Sequence, residues 1–217
     1  STLSSSSAAS DVYKRQQPNR LNQNTMKWHE AESDPELLEL WVADMDFLPV
    51  PEIRDAVINY AETHIFGYPY PSDELYQSII DWEKNQHGYS VDKASIVLIE
   101  GVVPAISTAI QSFTKEDDAV LINTPVYPSF ARSVRLNNRK LIENSLVKVN
   151  GHFEIDFEQL ERDIVDNDVK LYVFCSPHNP GGRVWTKEEL TMVADLCQKH
   201  GVLLVSDEIH QDLALYG

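Results

Sequence analysis

From residue 96 onward the chain is punctuated by short apolar runs: Ile96-Val97-Leu98-Ile99, Ala119-Val120-Leu121-Ile122, Val169 to Cys175 and Val202-Leu203-Leu204-Val205. Runs this short and this rich in Val, Ile and Leu read as strands buried on both faces. Between them the apolar positions change to the helical period, which predicts helices over Val102 to Phe113, Tyr127 to Leu136, Phe157 to Val165 and Lys187 to Lys199. Asp156 stands where it caps the third of these, and Thr186 with Glu189 forms a capping box for the fourth. Lys140 to Leu146 reads as a further extended segment. Upstream, an extended run at Leu37 to Val42 leads to the breaker Pro49-Val50-Pro51 and a helix to about His64. Ser72 then looks like the N-cap of a helix striped by Leu75, Ile79, Ile80 and Trp82, ending near Gly88.

Apolar strands alternating with helices indicate an α/β fold: a doubly wound, mostly parallel sheet with helices on both faces. In such sheets ligands bind beyond the carboxyl ends of the strands, so those ends are where chemistry is expected. The first 16 residues stand apart. Ser4 to Ser10 is nearly all Ser and Ala, too polar to order itself, and Asp11-Val12-Tyr13-Lys14-Arg15-Gln16 resembles translated sequencing-adapter read-through. Residues 1–16 are therefore expected to be a disordered, non-native leader.

Charge narrows the range of partners. A formal net charge of −16 without a basic stripe repels phosphate backbones, which argues against nucleic-acid binding. The two cysteines, Cys175 and Cys197, have no metal or redox spacing and suit a reducing compartment. No apolar stretch is long enough for a membrane span, and no leader of secretory type opens the chain, so the expected location is the cytoplasm.

Four strand ends carry candidate chemistry. At Gly101-Val102-Val103-Pro104 a strand turns into a helix whose free amides favour a phosphate, or it is an ordinary turn. Tyr127, in Thr124-Pro125-Val126-Tyr127-Pro128, either covers a flat ligand with its ring or packs on the sheet. Asn179, between Pro177-His178 and Pro180, either donates to an oxygen anion or serves turn geometry. His178 reads as a turn histidine without a partner. Asp207, in Ser206-Asp207-Glu208-Ile209-His210, follows an apolar strand, where a carboxylate is costly unless a cation meets it. A protonated ring nitrogen is one such cation; a helix cap, or a metal shared with His210, is the alternative.

Trp41-Val42-Ala43-Asp44-Met45-Asp46-Phe47, Phe66-Gly67-Tyr68, Gly101 to Pro104, Pro125-Val126-Tyr127, Pro177 to Pro180 with Gly182-Arg183-Val184-Trp185, and Ser206 to His210 together resemble the fold-type I pyridoxal-phosphate (PLP) enzymes. Within them the strings are similar to the cystathionine β-lyase group of MalY/PatB type, C–S lyases of the class I/II aminotransferase superfamily. The Trp-Val-Ala-Asp-Met-Asp-Phe and Asp-Glu-Ile-His strings discriminate, since aminotransferases in general usually carry Tyr where His210 stands.

The resemblance implies a PLP-transferase-like fold that is incomplete in this chain. Residues 17–66 would be an N-terminal segment of the small domain and entrance, and residues 67–217 an incomplete cofactor-binding large domain. Amides at Val102 and Val103 would bind the cofactor phosphate, Tyr127 would stack on the ring, and Asn179 would bond its hydroxyl oxygen. Asp207 would pair with the ring nitrogen, and His210 would stand on the hydroxyl side. Tyr68 would reach the phosphate in a neighbouring subunit, implying a homodimer. Ala43 and Asp44 would lie at the substrate entrance. No lysine follows Lys199, so the family's Schiff-base lysine is expected beyond Gly217. No catalytic residue and no metal ligand is assigned, and residues 1–217 are expected to be poorly soluble and without turnover. The implied activity is β-elimination from a sulfur amino acid, giving pyruvate, ammonia and a thiol. An aminotransferase of class I/II is the alternative, and a non-catalytic binding protein the third reading.

Overall fold

The computed structural model describes residues 18–214 apart from Asn22 and Pro35; the leader at 1–16 lies outside the described residues. The chain divides into two compact units, one running to Leu75 and the other from Tyr76.

The second unit is built on four parallel strands in the order β2-β1-β5-β6. These are β1 (Ala119–Thr124), β2 (Lys140–Ser145), β5 (Val169–Cys175) and β6 (Leu203–Asp207). Alternation along the strands separates two cores. Val120, Ile122, Leu171, Val173 and Cys175 face α3 (Val102–Phe113) and α4 (Ser129–Leu136), where Ile106, Ile110, Phe130 and Val134 are buried. Leu121, Ile142, Tyr172 and Phe174 face the other way, toward α5 (Phe157–Asp166) and α6 (Lys187–His200), packing with Leu160, Ile164, Val193 and Cys197. The sheet is thus covered on both faces, as the uninterrupted apolar strands predict.

Local chemistry sets the helix boundaries. Asp156 accepts a hydrogen bond from the Gln159 amide at the start of α5. The capping box on α6 is formed in both directions between Thr186 and Glu189. The helix expected from Tyr127 begins at Ser129, because Pro128 occupies its N-cap.

Two further features of this unit depart from the sequence reading. Ile96 to Ile99 is not a buried strand: it has no ladder to any described strand, and Val97 is 83% exposed. Apolar composition favours burial, but a strand also needs a neighbour's backbone groups, and neither edge of the sheet pairs with this run. The second is an antiparallel hairpin, β3 (Val147–Val149) with β4 (His152–Glu154), inserted between β2 and α5.

The unit that runs to Leu75 contains α1 (Pro51–Thr63), entered through a proline at its first turn, with its apolar Ile53, Val57 and Ile58 exposed. The Leu37 to Val42 run is not part of any strand. The division between units falls within α2 (Asp73–His87), whose first turn is capped by Ser72 accepting from the Leu75 amide.

Candidate functional site: the carboxyl edge of the parallel sheet

Because β1, β5 and β6 are parallel and adjacent, their carboxyl ends lie on one edge, about 10 Å across at the usual strand spacing. Each end opens into a segment picked out in the sequence: Pro125 to Tyr127 after β1, Ser176 to Asn179 after β5, and Glu208 to His210 after β6. The strand ends are stitched laterally, with the Ser176 amide donating to the Asp207 carbonyl at 3.0 Å and the Leu146 amide to that of Thr124 at 2.8 Å.

The N-terminus of α3 belongs to the same edge. Its far end, at Thr114, is tied to Arg139 just before β2, where Arg139 Nε donates to Thr114 Oγ1 at 2.8 Å. Twelve helical residues rise about 18 Å, close to the length of a six-residue strand, so the first turn reaches the carboxyl side. Gly101 caps this helix with φ 114°, a backbone state that L side chains rarely adopt. It brings no side chain to the first turn, so the Val102 and Val103 amides lack an acceptor within the helix and, with the helix dipole, make a setting that favours an anion.

Tyr127 does not pack into the sheet; it is 44% exposed, which leaves a face for a planar ligand. Asn179 is half-buried, with its backbone amide 3.4 Å from Cys175 Sγ and its side-chain amide bonded to no described residue. Asp207 is only 9% exposed and stands opposite Cys175 across the ladder. Its Oδ1 accepts from the Ile209 amide at 3.1 Å, while no donor among the described residues reaches the other oxygen. His210 is half-buried and begins a 3₁₀ turn, Gln211–Leu213. Among the described residues no group of three or more His, Cys, Asp or Glu side chains could hold a metal ion, and no helix is long and apolar enough to cross a membrane.

The edge therefore brings together the unbonded amides of a helix N-terminus, an exposed aromatic ring, a side-chain amide without a described partner and a largely buried carboxylate with one oxygen unbonded. That donor set fits PLP: a phosphate for the amides, a flat ring for Tyr127, a phenolate-like oxygen for Asn179 and a ring N–H for Asp207.

The model for class I and II aminotransferases matches residues 35–216. The chain belongs to the class I and II aminotransferase family.

Among its relatives, cystathionine β-lyase PatB of Bacillus subtilis is 41% identical over 201 residues, covering 91% of this chain and 52% of the relative. Protein MalY of Escherichia coli is 34% identical over 179 residues, covering 82% and 46%. The crystal structure of cystalysin from Treponema denticola, which contains a PLP cofactor, superposes with a TM-score of 0.84 at 38% identity, covering 90% of this chain and 51% of that one. The chain thus spans about half the length of the curated relatives it matches.

Ala43 and Asp44, expected from the sequence at a substrate entrance, and Tyr68, expected to reach a neighbouring subunit, fall in the unit that runs to Leu75. Tyr68 is fully exposed there, and Ala43 is exposed. Asp44 is held at both ends: Arg20 Nη2 meets its carboxylate at 2.5 Å and Lys27 Nζ donates to its carbonyl at 2.9 Å. Asp46, two residues on, accepts from Lys27 (2.8 Å), Trp28 Nε1 (2.9 Å) and Arg20 (2.6 Å). Lys27 holds its carboxyl down at about 2, helped by Trp28 and Arg20 and opposed by burial. Sequence reading singled out Asp44 and missed this network, whose Arg20, Lys27 and Trp28 lie some twenty residues upstream.

The loop after β5 also has supports that the sequence did not reveal. His178 is not partnerless but buried, with its ring against Trp185, whose Nε1 donates to the Cys175 carbonyl at 2.9 Å. Arg183 lies over the Trp185 ring and pairs with Glu189 of the capping box. Beneath the edge runs a buried polar relay. The Tyr172 hydroxyl donates to Asn123 Oδ1, Asn123 Nδ2 to Asn144 Oδ1 (3.0 Å), and Asn144 Nδ2 to Asp163 Oδ2 (2.8 Å). The available signal was slight, a single asparagine (Asn123) near the end of the apolar strand β1; the register sets it opposite Asn144 of the mixed strand β2.

Proposed function

We propose that this chain carries the cofactor cradle of a PLP-dependent C–S β-lyase, acting on a sulfur amino acid such as cystathionine and releasing a thiol, pyruvate and ammonia. Relatives named as cystathionine β-lyases or C–S lyases stand at 31–41% identity, which supports the reaction class. The observation that carries the cradle is Asp207: a carboxylate 9% exposed at a strand end, with one oxygen bonded to its own turn and the other open to a cationic donor.

Bound PLP supplies an electron sink for charge developing at the substrate α-carbon. Asp207 keeps the proton on the ring nitrogen, so that the sink stays electron-poor. The Val102 and Val103 amides hold the phosphate, Tyr127 covers the ring, and Asn179 donates to the hydroxyl oxygen, with His210 on that side. Ala43 and Asp44 are the substrate-side residues of this reading, and within their own unit the Arg20 and Lys27 contacts hold Asp44 in place. Tyr68 reaches a phosphate in a second copy of the chain, which makes the working form a homodimer. The lysine that carries the cofactor belongs to a part of the enzyme outside these residues.

Titration of the chain with PLP, followed by quenching of tryptophan fluorescence, tests the cradle. Saturable binding that weakens at least tenfold in Asp207→Asn is expected, since a charge-assisted bond contributes about 1.5–3 kcal/mol. Binding indifferent to that substitution refutes the assignment. In the full-length enzyme, pyruvate formed from cystathionine without a keto acid supports lyase chemistry, and amino transfer that requires one overturns it in favour of an aminotransferase.

A further inference from the structure

The loop that carries Asn179 has a fixed point one residue earlier. His178 is 3% exposed. Its backbone amide donates to the Arg183 carbonyl at 2.7 Å, and its own carbonyl accepts from Gly182 at 2.9 Å. Its ring Nδ1 accepts from the Gly181 amide at 3.2 Å. These three bonds bracket Asn179-Pro180, and Pro180 has no amide with which to close the turn itself.

We infer that His178 is the positioning residue of the cradle: its Nδ1 accepts the Gly181 amide and so closes the turn that presents the Asn179 side chain to the cofactor. The inference rests on the proposed cradle and adds to it a residue that contacts no part of the ligand.

Three observations carry it. An imidazole that accepts at Nδ1 is neutral and bears its proton on Nε2. Burial, and then the charge of Arg183, both lower the pKa of this ring, which keeps it in that form. Nε2 is buried and has no partner. An apolar side chain would fill the same space without an unpaired N–H, so packing alone does not explain a histidine here. Lastly, Gly181 is a glycine for reasons of space. Its φ lies outside the left-handed region, yet a Cβ there would stand 2.6 Å from His178 Nδ1 and 3.2 Å from Phe153 Cδ2 of the β3–β4 hairpin. Ring and glycine are fitted to one another, with Trp185 edge-on at 5.6 Å behind the ring.

The test is PLP titration by tryptophan fluorescence on the whole chain and its variants, with hydrogen exchange at the Gly181 amide read in the same proteins without PLP. His178→Gln moves the acceptor away from the Nδ1 position and is expected to weaken PLP binding about fivefold, the value of one net hydrogen bond. His178→Asn sets an amide oxygen near the Nδ1 position and restores both binding and Gly181 protection. Gly181→Ala pushes the ring aside and reproduces the His178→Gln loss, and the double variant binds no more weakly than the worse single one. If His178→Gln fails to fold, Gly181→Ala and His178→Asn still decide the matter. An asparagine variant as weak as the glutamine one, or a glutamine variant that binds like wild type while Asn179→Ala does not, overturns the inference. Wild-type protein that protects Gly181 but binds no PLP overturns the cradle reading instead.

Discussion

Removing one oxygen atom from the interior tests whether the polar relay under the site is held as described. Tyr172→Phe deletes the hydroxyl that donates to Asn123 Oδ1 and leaves every ring contact in place. Tyr172 is 0% and Asn123 3% exposed, so water does not replace the lost donor. The net value of a hydrogen bond is about 1 kcal/mol, and a buried acceptor left without a donor adds a desolvation penalty of similar size. The sum is about 2 kcal/mol. For a domain of this length that corresponds to a fall in Tm of about 4–8 °C. Urea unfolding and thermal melts measure it directly. Tyr127→Phe provides the control, because Tyr127 is 44% exposed and its hydroxyl bonds to no described residue. A change below about 0.5 kcal/mol, the usual range for an exposed substitution, refutes the relay. The relay also has a direction: each asparagine accepts with its oxygen and donates with its nitrogen toward Asp163, so turning either amide over breaks two bonds. Since Asn123 is the penultimate residue of β1, the relay anchors the strand end from which the Tyr127 loop departs.

Asp46 gives a pH signature. Its carboxyl sits at about 2, below the ordinary carboxylate value, so the Arg20–Lys27–Trp28 network stabilises its unit above pH about 4, and that contribution disappears as the pH falls through 2. Trp28, whose indole N–H bonds to Asp46, reports the loss as a fluorescence change between pH 4 and 2; a change that persists in Asp46→Asn refutes the origin given. The thiols give a chemical one. Burial pushes Cys197 up to about 11 and raises Cys175 too, so a thiol reagent at pH 8 labels neither in the native protein and both in denaturant. Labelling at the free-cysteine rate without denaturant contradicts the packing of both cores.

What could be read from the sequence follows how far each cause reaches along the chain. Ser72, Asp156 and Thr186 were legible because a cap acts on an amide three residues away. Ile96 to Ile99 misled because apolar character is local while a pairing partner is not. The hairpin was overlooked although its turn is Asn150-Gly151, with φ of 50° and 87°, the positive values a tight two-residue turn requires; its strands are only three residues each and lack a visible period. At the site, Tyr127, Asn179 and Asp207 stood out because each follows a recognisable strand. Asn123 and Asn144 did not, because only the register reveals that they meet. His178 was misread for a related reason: its partners, Gly181, Arg183 and Trp185, are close in sequence, but the fold of the loop is what turns its ring inward.

The local turn bond of Asp207 is compatible with the proposed role as cofactor partner. A carboxylate facing a ring nitrogen must hold one rotamer, because a hydrogen bond that swings loses both its energy and its control of the proton. A side chain free at both oxygens would sample several rotamers, and burial alone does not choose among them. The bond from the Ile209 amide to Oδ1 makes that choice using a turn that β6 needs in any case to leave the sheet. The strand partner contributes as well, since the Asp207 carbonyl accepts from Ser176 and fixes the backbone against the loop that carries Asn179. One oxygen holds the geometry and the other is unbonded, so on the proposed reading the local bond expected of a mere cap would be what aims the carboxylate.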